Sequence, residues 1–210
     1  MSLLLAVLLA TTAAEAPVPG LCTAPASEHV GKPGCYLSAE LDIEAPNGEI
    51  YWHIYTLPNL GEAQVAASRV EQSVATESHG GAWLHVLGNA QPVTIRGATV
   101  KASIGPIRAP AKGRARLLES WFPPGMKTRA HSHPGPEVFY VLEGEQCVET
   151  RDGTSRIAAG QHYILDAGPH LQASPKGRRS LVLLVMPNDT PWMSLESDWN
   201  PTASCSGEAS

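Results

Sequence analysis

The chain has 210 residues, 43% of them hydrophobic and 17% charged, with a net charge of −5. Charged residues fall short of the roughly 25% of ordinary globular chains, while Gly and Pro, with 19 and 18 copies, are plentiful. This describes a turn-rich folded protein and excludes a disordered acidic chain, a coiled coil and a collagen-like repeat. The longest basic cluster, Lys176-Gly177-Arg178-Arg179, is too short for a nucleic-acid footprint.

Residues 3–10 are an apolar run followed by small residues, Thr11 to Ala14. A bilayer span needs about 20 apolar residues, so no stable membrane span is expected, and the pattern is that of a secretory signal peptide. No Lys or Arg precedes the run, but cleavage after Ala14 or Ala16 suits the small-residue rule. Residues 1–16 are therefore expected to be a leader, and the protein to be periplasmic or secreted. Residues 17–35, rich in Pro, Gly and Ala, read as an irregular lead-in. Apolar Leu37, Ala39, Leu41 and Ile43 then alternate with polar residues, and after Pro46-Asn47-Gly48 so do Ile50, Trp52 and Ile54. Period two on both sides of an Asn-Gly turn predicts a β-hairpin. Residues 61–69, carrying three alanines, suit a short helix, and 70–76 and 82–87 short strands. Together 36–90 reads as an accessory layer or as extra strands added to the C-terminal half. From 99 onward short apolar strands are predicted at 99–104, 115–122, 138–143, 145–150, 162–165 and 181–186, split by Gly/Pro turns. Such spacing points to a sandwich or barrel, expected over 91–190, with 191–210 as a tail.

The sequence Gly125-Met126-Lys127-Thr128-Arg129-Ala130-His131-Ser132-His133-Pro134-Gly135-Pro136-Glu137 holds the chemistry. Residues two apart on a strand point to one face, so His131 and His133 converge. Pro134-Gly135-Pro136 cannot continue a central strand, so the chain turns and brings Glu137 back beside the histidines. Two imidazoles and a carboxylate converging in a β framework form a transition-metal site. Arg129 shares the histidines' parity and faces the mouth of a barrel, either holding an anion bidentately or reaching into solvent. Phe139 and Val141 share the parity of Glu137 and are expected to line the interior. His85, on the face of Trp83 and Leu87, reads as a satisfied core histidine, and His29, His53 and His79 carry no chemical signal.

This segment resembles the first motif of the cupin superfamily, G-x5-H-x-H-x3-E-x6-G, at Gly125, His131, His133, Glu137 and Gly144. The resemblance implies a mostly β fold, an antiparallel cupin-type β-barrel (jelly roll), here with a small N-terminal α+β extension. It also implies one divalent transition metal in the lumen, iron or manganese first, with zinc, nickel or copper as alternatives. The second motif, G-x5-P-x-G-x2-H-x3-N, is matched imperfectly from Gly160 to Ser174: Asp166 stands at the Pro position, one residue is missing before His170, and Ser174 replaces Asn. By that resemblance His170 is the fourth ligand, with His162 as the alternative. Gln172, two residues on, is a further polar side chain for the lumen.

Phosphate-loop, zincin and serine-hydrolase signatures are missing. Two functions remain: a metal-dependent oxygenase or isomerase acting on a small molecule, with catalytic residues unassigned, or a module that binds a small ligand or metal without turnover. Residues 138–142 and 181–186 are apolar on both faces, and such faces are covered. Either the 36–90 layer or a second copy of the chain does so, and a homodimer is expected. The four cysteines permit three pairings. Cys22 and Cys35 close the shortest loop, Cys205 competes for either, and Cys147 in an apolar strand reads as a buried thiol.

Overall fold

A strand that is apolar on both faces needs a cover on each, and two stacked sheets supply it. The computed structural model describes residues 18–202, 204 and 205, so the expected leader lies outside the described residues. In chain order the strands are β1 (Gly34–Glu44), β2 (Glu49–Leu57), β3 (Ser73–Ser78), β4 (Gly81–Gly88), β5 (Thr99–Arg108), β6 (Lys112–Phe122), β7 (Met126–Lys127), β8 (His131–Ser132), β9 (Glu137–Thr150), β10 (Gly153–Ala158), β11 (His162–Leu165), β12 (His170–Ser174), β13 (Arg178–Pro187) and β14 (Ser194–Leu195). A helix, α1 (Leu60–Ala67), follows β2, its start capped by Asn59, which accepts from Glu62 N at 2.9 Å.

The larger sheet runs β1-β6-β13-β9-β12-β8-β14, with β10 and β11 also on β9 and β7 on β12. The smaller runs β3-β4-β2-β5. Their strand pairs are antiparallel. β9 is the pivot of the larger sheet. Its first half pairs with β13 and β11, its second with β10 and β12, so one strand serves both walls of the jelly roll. The strands predicted at 138–143 and 145–150 are thus halves of one. Gly144 bends that strand without breaking it: its φ is +74°, and a Cβ would lie 1.9 Å from Gly177 O.

The predicted hairpin is corrected. β1 and β2 are strands, but β1 pairs with β6, whereas β2 lies between β4 and β5. The reason is in β2 itself, where Trp52, His53, Ile54 and Tyr55 are buried one after another. One face of β2 packs on the barrel sheet and the other on α1, and β4 and β5 fill both its edges, which leaves no edge for β1. The expected boundary at 90/91 likewise does not follow the sheets. β5 joins the four-stranded sheet, and β1 forms the edge of the barrel sheet.

Two apolar layers result. Inside the barrel, Leu118, Phe122, Phe139, Val141, Val148, Val182 and Leu184 pack together. Between the sheets, Val138, Tyr140, Leu181, Leu183 and Val185 meet Trp52, Ile54, Leu87 and Ile104. Burying each such aliphatic side chain contributes about 1.5–3 kcal/mol. The two-faced strands that motivated the homodimer thus find their cover within one chain. Cys22 is bonded to Cys35 and Cys147 to Cys205. Cys147 is therefore half of a bridge that ties the tail to β9, and not a buried thiol. Among the described residues no helix is long and apolar enough to cross a membrane.

Candidate metal centre

Four buried side chains, His131, His133, Glu137 and His170, offer ligand atoms that all lie within 4.8 Å of one another. Local sequence places each of them. β8 and β12 are in register at His131 and His170, so these two imidazoles meet across the ladder, ring centroids 4.2 Å apart. After His133 the Pro-Gly-Pro turn passes against β13, so closely that a Cβ on Gly135 would lie 2.0 Å from Val185 O. Glu137 then opens β9, with its Oε2 at 3.5 Å from His133 Nε2 and 2.9 Å from His170 Nε2.

Each imidazole spends its Nδ1 on a backbone carbonyl: His131 on Arg129 O at 2.8 Å, His133 on Trp192 O at 2.7 Å, and His170 on Gly168 O at 3.1 Å. A carbonyl only accepts, so the proton of each neutral ring sits on Nδ1 and the Nε2 lone pair is free. His170 Nε2 is buried with no hydrogen-bond partner, since with the proton on Nδ1 it and the nearby Glu137 oxygen are both acceptors. A buried polar atom left unpaired costs about 1–3 kcal/mol. Three neutral imidazoles oriented through Nδ1, plus one carboxylate, fit a divalent transition ion, which would take up those lone pairs.

The electrostatics agree with that fit. Burial pushes His131 down to about 3, with His170 and His133 adding to the effect, so the ring is neutral and available. Burial opposes the charge of Glu137 too, but contacts with His133 and His170 outweigh it and hold the carboxyl well below its usual range. His133 is the counterpart: burial lowers it, and Glu137 more than reverses this, for a net rise.

His131, His133 and Glu137 border a cavity of about 90 Å³, and His170 sits behind them, buried. Its other walls include Val18, Leu21, the Cys22–Cys35 bridge, Phe122, Val182 and Trp192. Arg129 lines it at an exposed position, and Gln172 lines it deep inside. Gln172 Nε2 donates to both oxygens of Glu137, at 3.1 and 3.0 Å. Phe139 is fully buried in the barrel's apolar core and is not part of the cavity wall. His162 is exposed on β11, apart from the cluster. Sequence reasoning missed Arg178 behind Gln172 and Trp192 beside His133, where the ring centroids are 5.7 Å apart. Strand parity had a signal for the first, because Arg178, Ser180 and Val182 share the inward face while Arg179 stacks outside on Trp121.

Residues 120–186 match a family model described as a cupin domain. Among solved structures, the chain is similar to a conserved protein of unknown function from Streptococcus pyogenes (25% identity, 36% of this chain and 66% of that one, TM-score 0.32). A cupin-like protein from Thermotoga maritima shows 20% identity over 39% of this chain and 64% of that one, with a TM-score of 0.36. The DMSP lyase DddQ from Ruegeria pomeroyi shows 24% identity over 45% of each chain, with a TM-score of 0.35. The chain thus spans about two thirds of the length of the first two. No curated protein matches it. The matched segment runs from β6 to β13 and contains all four converging side chains, and this segment is a cupin domain.

Proposed function

We propose that the protein is an exported cupin that holds one divalent transition metal, iron or manganese first, on His131, His133, Glu137 and His170, and acts on a small molecule in the adjoining cavity. One observation carries this reading: three buried imidazoles, each with Nδ1 committed to a carbonyl, bring Nε2 to one point beside a buried carboxylate. A metal bound there would supply Lewis-acid polarisation of a substrate oxygen or, if redox-active, activation of dioxygen. The chain's residues orient the ligands through their hydrogen bonds and enclose the site in apolar walls. Among the described residues that line the cavity, the only histidines and carboxylate are His131, His133 and Glu137. Oxygenase or isomerase chemistry that relies on the ion suits such walls, and so does a second reading, a module that binds a small ligand without turnover. Two disulfides suit an oxidising compartment, which supports a periplasmic or secreted location.

The test is elemental analysis by mass spectrometry of protein purified from its native compartment. About one transition-metal ion per chain is expected, lost in His170→Ala and kept in His162→Ala. The reverse pattern would reassign the fourth ligand, and a metal-free wild-type chain that also takes up none on reconstitution would end the reading.

A further inference from the structure

Arg178 is buried and has no carboxylate partner among the described residues. Its Nη1 donates to Ser120 Oγ at 2.9 Å and to Ser180 Oγ, its Nη2 donates to Gln172 Oε1 at 3.1 Å, and its guanidinium carbon lies 4.1 Å from the centroid of the Phe122 ring. Burial lowers it to about 9, so it keeps its charge at neutral pH. A buried cation without a counter-ion is costly, and here the counter-ion lies one amide away. Arg178 can only donate and the Glu137 carboxylate only accept, so the Gln172 amide between them has a single satisfactory orientation. Gln146 Nε2 supports that orientation by donating to Gln172 Oε1 at 3.2 Å.

The consequence is a charge count. An imidazole that ligates a metal is neutral, so in the metal-bound site the fixed protein charges are Glu137 and Arg178, which cancel. A divalent ion then adds two positive charges to a cavity whose one acidic lining residue is Glu137, already matched by Arg178. Arg129 adds a further cation at the exposed rim, where solvent screens it. Uncompensated charge inside apolar walls is expensive, and a ligand can supply what is missing.

Resting on the metal-site reading above, we propose that the site takes a small organic anion with an apolar body. Arg178, acting through Gln172, is the positioning residue that reserves room for the anion's charge by neutralising Glu137. The apolar walls of Val18, Leu21, Phe122 and Val182 accept the body, and the small cavity restricts the ligand to a few non-hydrogen atoms.

The experiment loads the full mature chain with Co(II), follows its visible bands, and titrates with propionate and with its neutral isostere propionamide. Wild-type protein is expected to bind propionate more tightly. Arg178→Gln should weaken propionate roughly tenfold, the scale of one unit charge across a partly desolvated site, with propionamide unchanged and cobalt still one per chain. Arg178→Lys, which keeps the charge, should retain the preference. If Arg178→Gln does not fold, the isosteric Gln172→Glu, which sets a negative charge against Arg178, should show the same loss. Propionate affinity unchanged in the variant that folds, or no preference in wild-type protein, overturns the proposal while leaving the metal site standing. Failure of wild-type protein to take up cobalt would instead overturn the metal-site reading.

Discussion

The two sheets each bury histidines, and they treat them in opposite ways. In the four-stranded sheet His53 has both ring nitrogens occupied, by Asn89 O at 2.8 Å and Ser103 Oγ at 2.8 Å. His85 receives Trp52 Nε1–H on Nδ1 at 3.1 Å and meets Thr76 Oγ1 through Nε2 at 2.9 Å. In the barrel, the cluster histidines have Nδ1 occupied and Nε2 directed at a shared point. Burial is common to both sets and so says nothing about function. What separates a packed histidine from a ligand is whether its second nitrogen has already been given a partner.

The strongest way to break this comparison is to delete each set. The His131→Ala/His133→Ala double variant is expected to lose stoichiometric metal altogether, measured by elemental analysis after reconstitution. His53→Ala/His85→Ala should keep one ion per chain if it folds, since its rings face no common point. Full occupancy in the first variant, or loss of metal in a folded second variant, would mean that nitrogen satisfaction does not distinguish the sets.

Much of the barrel half was legible in the sequence, because period two and motif spacing are local signals. His131 and His133 share a face by strand geometry alone, and Pro134-Gly135-Pro136 forces the turn that returns Glu137. His85 was readable as core from the face it shares with Trp83. The pairing of β1 and β2 was not readable, because an Asn-Gly turn specifies a reversal and not which sheet each arm joins. That choice depends on long-range pairing of β2 with β4 and β5 and on the barrel sheet and α1, which cover its two faces. β10 and β12 were missed because Thr154, Ser155, Arg156 and Gln172 interrupt any apolar pattern. Arg178 was hidden for a related reason. A cation at the start of a strand reads as a solvent-facing charge, and its buried partners, Ser120 and Gln172, are separated from it by 58 and 6 residues.

The covalent ties sharpen the comparison between the halves, since both bridges brace the barrel and neither touches the four-stranded sheet. Cys147–Cys205 spans 58 residues and Cys22–Cys35 only 13. In the chain-entropy model these loops contribute about 4 and about 3 kcal/mol, less any native strain. Urea unfolding of Cys147→Ala/Cys205→Ala should therefore show the larger loss. Cys22→Ala/Cys35→Ala should lose less stability, but it alone should loosen the cavity wall that carries the bridge, seen as faster release of bound cobalt to a chelator. Equal release rates in the two variants would count against that wall as a barrier.

The last effect is read as a slope. Burial pushes His85 down to about 3, below the roughly 6.5 of an unfolded histidine. Between those values the unfolded chain binds a proton that the native ring refuses, so stability rises with pH there. The contribution is complete above about pH 6.5 and is lost as pH falls toward 3, at about 1.4 kcal/mol per pH unit. His131 is shifted in the same direction, so the wild-type slope alone mixes the two sheets. His85→Gln separates them, because glutamine still offers a donor and an acceptor to Thr76 and Trp52 but cannot take the proton. Metal-free wild-type and variant proteins should differ by about 1.4 kcal/mol per pH unit in urea-derived stability between about pH 5.5 and 4, the wild type falling faster. The His131 contribution cancels in that difference, because the two sites share no partner. Parallel slopes would show that His85 is protonated in the fold and that its two hydrogen bonds do not hold it neutral.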